Sequence, residues 1–214
     1  MIAQWADRRG RWLKTDLFEE RAPARALLPA LTGVEWVGLD ISAAVAAQAA
    51  GCGVRPVAVG DVRAVPFRSG SFDGILSTST LDHFDDRADI TRSLRELRRV
   101  LVPGGRLILT LDNPRNPLIR LRNALPPAIA ARTGLAPHAV GETLAEPDGR
   151  RALVASGFAV DATQFVMHAP HVIGTRPARY RWYEERVLPR TERLAETRLA
   201  SISGHFVAFS AHAV

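Results

Sequence analysis

The order in which short apolar runs and helix-patterned stretches alternate is the feature that most constrains this chain. Compact apolar runs stand at residues 12–15, 35–39 (EWVGL), 56–59 and 72–77 (FDGILS). Between them lie stretches suited to helices at 21–31, where Pro23 falls in the first turn, and at 43–50, which is rich in alanine. Residues 88–101 place Ile90, Leu94, Leu97 and Leu101 at helical spacing. Pro103-Gly104-Gly105 then predicts a sharp turn into the strongest strand, 106–111 (RLILTL). Strands that alternate with helices in this way build βαβ units, whose right-handed crossovers give a doubly wound parallel sheet.

The second half is less regular. Five prolines (Pro114, Pro117, Pro126, Pro127 and Pro137) surround a helical piece at 118–124. A helix at 150–156 stops at Gly157, a strand follows at 158–167, a long charged helix is expected at 179–200, and a strand at 205–211 closes the chain. Strand, helix and strand at the end of such a sheet predict a closing antiparallel pair. The 214 residues, 47% of them hydrophobic and 23% charged, suit one domain with a buried core.

Composition sets aside several function classes. No apolar run approaches the roughly 20 residues that cross a bilayer, and MIAQWADRRG lacks the apolar stretch of a secretory leader. With Cys52 as the single cysteine there is no internal disulfide, so a cytoplasmic protein without a membrane partner is expected. A P-loop, a metal-ligand cysteine pair and a G-x-S-x-G elbow are all missing from the sequence. The net charge of +6 permits a nucleic-acid partner. Against that, the arginines are spread along the chain and do not interleave with aromatic residues as in an RNA-binding sheet.

Three segments share an order and spacing that resemble the class I S-adenosylmethionine-dependent methyltransferases. They are VGLDIS at 37–42, GDVRAVPFRSGSFDGILSTSTLDHFDD at 60–86 and RSLRELRRVLVPGGRLILT at 92–110. The resemblance is to the type 11 group and implies an α/β, Rossmann-like sheet of seven mostly parallel strands with an antiparallel last strand. Residues 1–214 would form one domain, with 113–141 as a lid and acceptor segment. It also implies S-adenosylmethionine as cofactor. Asp40, past a buried strand, would accept hydrogen bonds from the ribose diol, with Ile41 beside it; a helix-capping role for Asp40 is the structural alternative. Asp61 would accept from the adenine amine and Val62 would offer its backbone N–H, although Gly-Asp is also ordinary turn chemistry. Ser77 ends the fourth strand against the cofactor.

The first motif departs from the family. An acidic residue and three glycines are usual there, but WLKTDLFEE puts Lys14 in place of the acid and Asp16, Phe18 and Glu20 in place of the glycines. Two readings follow. Lys14, the only lysine, pairs with the cofactor's carboxylate, while Asp16 or Glu19 meets its ammonium and Thr15 lines the site. Alternatively, Leu17 and Phe18 close the pocket and the protein is a non-catalytic binding or regulatory member of the fold.

Methyl transfer needs an acceptor placed in line with the sulfonium methyl and, for some acceptors, a group that takes a proton. The resemblance puts Asp82 and His83 there as a general base, with packing or helix capping as the structural alternative for His83. Asp112 and Asn113, past the fifth strand, would line the substrate. The asparagine-proline motif that amino-methylating relatives carry after strand four is missing from this sequence. That favours a small-molecule acceptor methylated at oxygen or carbon, with RNA as the further alternative.

Overall fold

The computed structural model describes residues 9–21, 26–31, 33–125, 141–169 and 181–214. Seven strands make one sheet: β1 (Arg11–Thr15), β2 (Glu35–Asp40), β3 (Val57–Val59), β4 (Phe72–Thr78), β5 (Leu101–Asp112), β6 (Phe158–Val166) and β7 (Phe206–Ala213). Their spatial order is β3-β2-β1-β4-β5-β7-β6. The first five strands run parallel, while β7 lies antiparallel to both β5 and β6. Among the described residues the longer helices are α1 (Ala43–Gly51), α2 (Arg87–Val100), α3 (Pro117–Ala124) and α4 (Glu146–Ala155).

Side chains alternate across a strand, so each central strand feeds two cores. Leu13, Ile75, Leu107 and Leu109 join Ile90, Leu94 and Leu97 of α2 and Leu153 of α4 on one face. Trp12, Leu76 and Ile108 point the other way and pack with Leu17, Leu28, Leu31, Ala49 and Val54. This explains the nearly unbroken apolar runs: a parallel sheet is buried on both faces. The helix α2 starts on Asp86, whose side chain accepts from the Ala88 N–H. Ser42 caps α1 in the same way by accepting from Val45.

Three expectations are corrected. Within 21–31, the described residues hold only a short 3-10 turn at Leu28–Ala30, and 22–25 lie outside the described residues. The turn at Pro103-Gly104-Gly105 is a bulge inside one long strand, because pairing jumps from Phe72↔Leu101 to Gly74↔Arg106 while Gly104 takes φ +75°. The long helix expected at 179–200 is broken. Its described part runs through a π-type turn (Tyr183–Val187), Leu188–Thr191 and a 3-10 turn (Glu192–Glu196) before Ala200–Ser203. Pro189 lacks the N–H that a regular turn uses, which accounts for the irregular bonding before it. Most of the segment expected to act as a lid, 126–140 with His138, lies outside the described residues.

Gly74 faces Trp12 across the β1–β4 pair, and a Cβ there would lie 2.2 Å from the indole. The alanine variant Gly74→Ala is therefore expected to lose at least about 1–3 kcal/mol, read as a lower urea midpoint. An unchanged midpoint would show that the indole has room to shift.

Candidate functional site

The chain leaves β1 toward β2 on one side, and β4 lies on β1's other side, so the carboxyl ends of β1 and β4 form the switch point of the sheet. In an open α/β sheet this is where a crevice opens. Most residues singled out by sequence stand around it, on the ends of β1, β2, β4 and β5 or in the turns that follow.

Asp40 is the last residue of β2 and is 9% exposed. Its Oδ1 accepts the Ser42 N–H at 2.8 Å and its Oδ2 accepts the Leu17 N–H at 2.8 Å. A carboxylate oxygen has a second lone pair, so both retain capacity for a diol. Ile41 beside it is 69% exposed, an apolar face held out at the strand end. The Gly60 N–H bonds the Asp40 carbonyl, which brings Asp61 and Val62 next to this pair. Asp61 caps a short turn through the Arg63 N–H, and the Arg63 guanidinium grips its carboxylate at 2.7 Å. That guanidinium holds the Asp61 carboxyl below the ordinary range. These residues fit the nucleoside half of the implied cofactor.

The loop after β1 satisfies itself without glycine. Asp16 adopts the left-handed region at φ +59°, which glycine favours and aspartate tolerates. Its Oδ1 accepts the Phe18 N–H at 2.9 Å, and its own N–H bonds the Leu39 carbonyl. Leu17 is fully buried and packs against Gly38 and Val54 in the core, away from the crevice. Glu20 is also buried, with its carboxylate accepting the N–H groups of Leu27 and Leu28.

Lys14 is turned under this loop. Its Nζ donates to the carbonyls of Thr15 at 2.7 Å and Asp16 at 2.6 Å. Burial pushes its pKa down, opposed by Asp16, Glu20, Asp40 and Glu19 around it. The ammonium thus binds the loop's own backbone, not a group in the crevice. Beside it, the Thr15 hydroxyl meets Ser77 and Thr80 at 2.9 Å each, tying the ends of β1 and β4 together.

Past β4 the chain turns sharply at Ser79, which has φ +49° and whose N–H is taken by the Thr110 hydroxyl. Asp82 and His83 follow in a 3-10 turn. Asp82 is buried, with Oδ2 accepting from the Asp112 N–H at 3.1 Å and the Ser79 hydroxyl at 3.3 Å, while His83 is exposed. Burial, reinforced by the nearby Asp112 charge, pushes the Asp82 carboxyl up to about 7. Asp112 pairs with Arg122 of α3 at 2.5 Å. Asn113 is fully buried and its amide donates to the carbonyls of Ser201 and Gly204, so the structure uses it to hold the chain leading into β7.

Sequence reasoning missed Arg63 and Arg122. Arg63 lies two residues from Asp61 and is readable as a local clamp. Nothing in the spacing links Arg122 to Asp112 before α3 is placed.

The model of a methyltransferase domain matches residues 22–109, which begin after the glycine-free loop. The demethylmenaquinone methyltransferase of Thermus thermophilus is 35% identical over 51% of this chain and 56% of its own length. A Bos taurus protein named as a probable tRNA methyltransferase 9B is 40% identical over 29% of this chain and 13% of its own. The chain therefore spans less than two thirds of either relative. Among solved structures, an S-adenosylmethionine-dependent methyltransferase of Methanosarcina mazei superposes with a TM-score of 0.66 at 17% identity. That superposition covers 100% of this chain and 96% of the other.

Asp82 generates a pH dependence of stability. The unfolded chain releases this proton near pH 4, whereas the folded protein keeps it until about 7. Between those values the folded state binds more protons, so its stability falls as pH rises. Against Asp82→Asn, the protein is expected to lose up to about 4 kcal/mol from pH 4 to pH 7, measured by denaturant unfolding at each pH. A constant gap between the two proteins would refute the raised proton affinity.

Proposed function

Because the chain belongs to the class I S-adenosylmethionine-dependent methyltransferase family, we propose that it transfers a methyl group from S-adenosylmethionine to a small-molecule acceptor. The observation that carries this reading is Asp40: a carboxylate with spare acceptor capacity at the switch point, flanked by the exposed Ile41. In this reading Asp40 takes the ribose diol, Ile41 packs on the purine, Asp61 accepts from its amine and the Val62 N–H serves its ring. The cofactor supplies an electrophilic sulfonium methyl when bound.

The methionine end is held by side chains in place of a glycine loop. Asp16 and Glu19 would meet the ammonium, in charge-assisted bonds worth roughly 1.5–3 kcal/mol each. Lys14 acts from beneath, keeping the loop in the shape that presents Asp16. Thr15, Ser77 and Thr80 form the hydroxyl-lined floor between β1 and β4. The acceptor would lie toward β5, near the turn that carries Asp82 and His83. His83, exposed on that turn, would take the acceptor's proton, with Asp82 behind it and Asp112 shaping the wall.

Oxygen or carbon is favoured as the methylated atom because the asparagine-proline motif that amino-methylating relatives carry after strand four is missing there. A small molecule is favoured because the relative matched over the longer stretch is named for demethylmenaquinone. A second reading, RNA, draws on the tRNA methyltransferase relative and on a groove lined by Arg63, Arg92 and Arg95 along α2.

Isothermal calorimetry tests the first step directly. S-adenosylmethionine is expected to bind in the micromolar to sub-millimolar range usual for enzyme ligands, about 1 μM–1 mM. Asp40→Ala should weaken binding at least tenfold, and His83→Ala should leave it unchanged. No heat at millimolar ligand would end the enzyme reading and leave a binding module of the same fold.

A further inference from the structure

Away from the nucleoside side, the densest group of buried ionisable side chains joins the ends of β4 and β5. Asp82 and Asp112 are 2% and 5% exposed. They are linked through the Asp112 backbone, whose N–H the Asp82 carboxylate accepts, and the Asp112 charge acts on the Asp82 carboxyl. Their surroundings are unequal. Asp112 has a countercharge, with Oδ2 on the Arg122 guanidinium at 2.5 Å and Oδ1 at 3.8 Å from Nε2 of His205. Asp82 has none of comparable strength, and its Oδ1 is buried without a hydrogen-bond partner.

Among the described residues, the charged groups facing the pair are His83 on the Asp82 turn, Arg122 from α3 and His205 just before β7. The segment after the lid also packs on this turn, through Gly141 N–H to the Asp82 carbonyl, but its Glu142 carboxylate is held by Arg87. Two adjacent buried carboxylates with one strong countercharge resist ionising together, and the unpaired one keeps its proton.

We propose that Arg122 is a positioning residue: by fixing the negative charge on Asp112, it places the exchangeable proton of the acceptor end on Asp82. The assignment deepens the methyltransferase reading, in which an acceptor loses one proton for each methyl it gains. Ionised Asp82 receives that proton by way of the exposed His83, becomes the neutral acid and returns the proton to solvent before the next turnover. Nothing about Arg122 marks it for this in the sequence, since it sits ten residues past Asp112 on a helix of its own. The neutral form of Asp82 also fits its setting, because an unpartnered buried oxygen costs far less on a carboxylic acid than on a carboxylate.

The test reads a property of the 214-residue chain with no cofactor or acceptor present, so it stands or fails apart from methyl transfer. Carbon-13 NMR of protein labelled at the aspartate carboxyl carbons would follow each titration, with the Asp82 signal assigned by its loss in Asp82→Asn. In the native protein that signal should titrate well above the ordinary aspartate value of about 4. Asp112→Asn, which removes the like charge, should increase the acidity of Asp82 at least tenfold. Arg122→Gln, which takes the countercharge from Asp112, should move the proton from Asp82 toward Asp112, so that the Asp112 signal becomes at least tenfold less acidic, and Arg122→Lys should restore the native pattern. A native midpoint near 4, no shift of Asp82 in Asp112→Asn, or an Asp112 signal that Arg122→Gln leaves as acidic as before would overturn the proposal. If Arg122→Gln fails to fold, the Asp112→Asn shift alone decides, and no shift there refutes it.

Discussion

One carboxylate, Asp40, fastens the loop after β1 to the helix after β2. Its two oxygens take the N–H of Leu17 on one side and of Ser42 on the other. That tether adds to the Asp16 and Lys14 contacts in closing a loop that carries Asp16, Phe18 and Glu20 where glycines are usual. In the proposed reading the charge that holds the loop is also offered to a diol, so loop order and ligand binding would draw on the same group.

The loop's remaining contacts follow from this constraint. Close backbone approach is what glycine ordinarily allows, and here the N–H groups of Leu17 and Phe18 are already taken by Asp40 and Asp16. Lys14 completes the arrangement from below by binding the carbonyls of Thr15 and Asp16. Burying an ammonium is costly unless it is paired and hydrogen-bonded, and the carboxylates of Asp16, Glu19, Glu20 and Asp40 supply the opposing charge. A lysine in place of the family's acid is consistent with a loop built from side-chain carboxylates, because it balances them.

The sheet was legible because hydrophobic alternation and strand-ending aspartates are local signals. Asp40 and Asp61 end or follow their strands as the sequence implied, and the seven-stranded topology with antiparallel β7 agrees with the expected fold class. The fate of Lys14 was not legible. Its side chain has the reach to face a ligand or to fold back, and only the left-handed turn at Asp16 brings the two carbonyls within its grasp. The polar cluster past β4 and β5 was hidden for a different reason. The pairing of Asp112 with Arg122 depends on where α3 docks, and Asn113 is consumed by the chain before β7. Such long-range partners leave no periodic trace. Pro189 was visible, but the charged pattern around it outweighed the break it signals.

The two ends of the crevice therefore differ in kind. At the carboxyl ends of β1 and β2 the polar groups bond one another and hold a defined shape, whereas beyond β4 and β5 a buried carboxyl keeps an unpartnered oxygen. The first end is suited to holding a fixed ligand and the second to exchanging a proton. The most direct measurement is a nitrogen-15 amide map of the protein titrated with S-adenosylhomocysteine. The account predicts saturable shifts at Leu17, Ile41, Ser42 and Val62, the amides that surround Asp40 and the start of the turn after Asp61. Shifts confined to the arginine-lined groove of α2, or none at these amides at millimolar ligand, would contradict it.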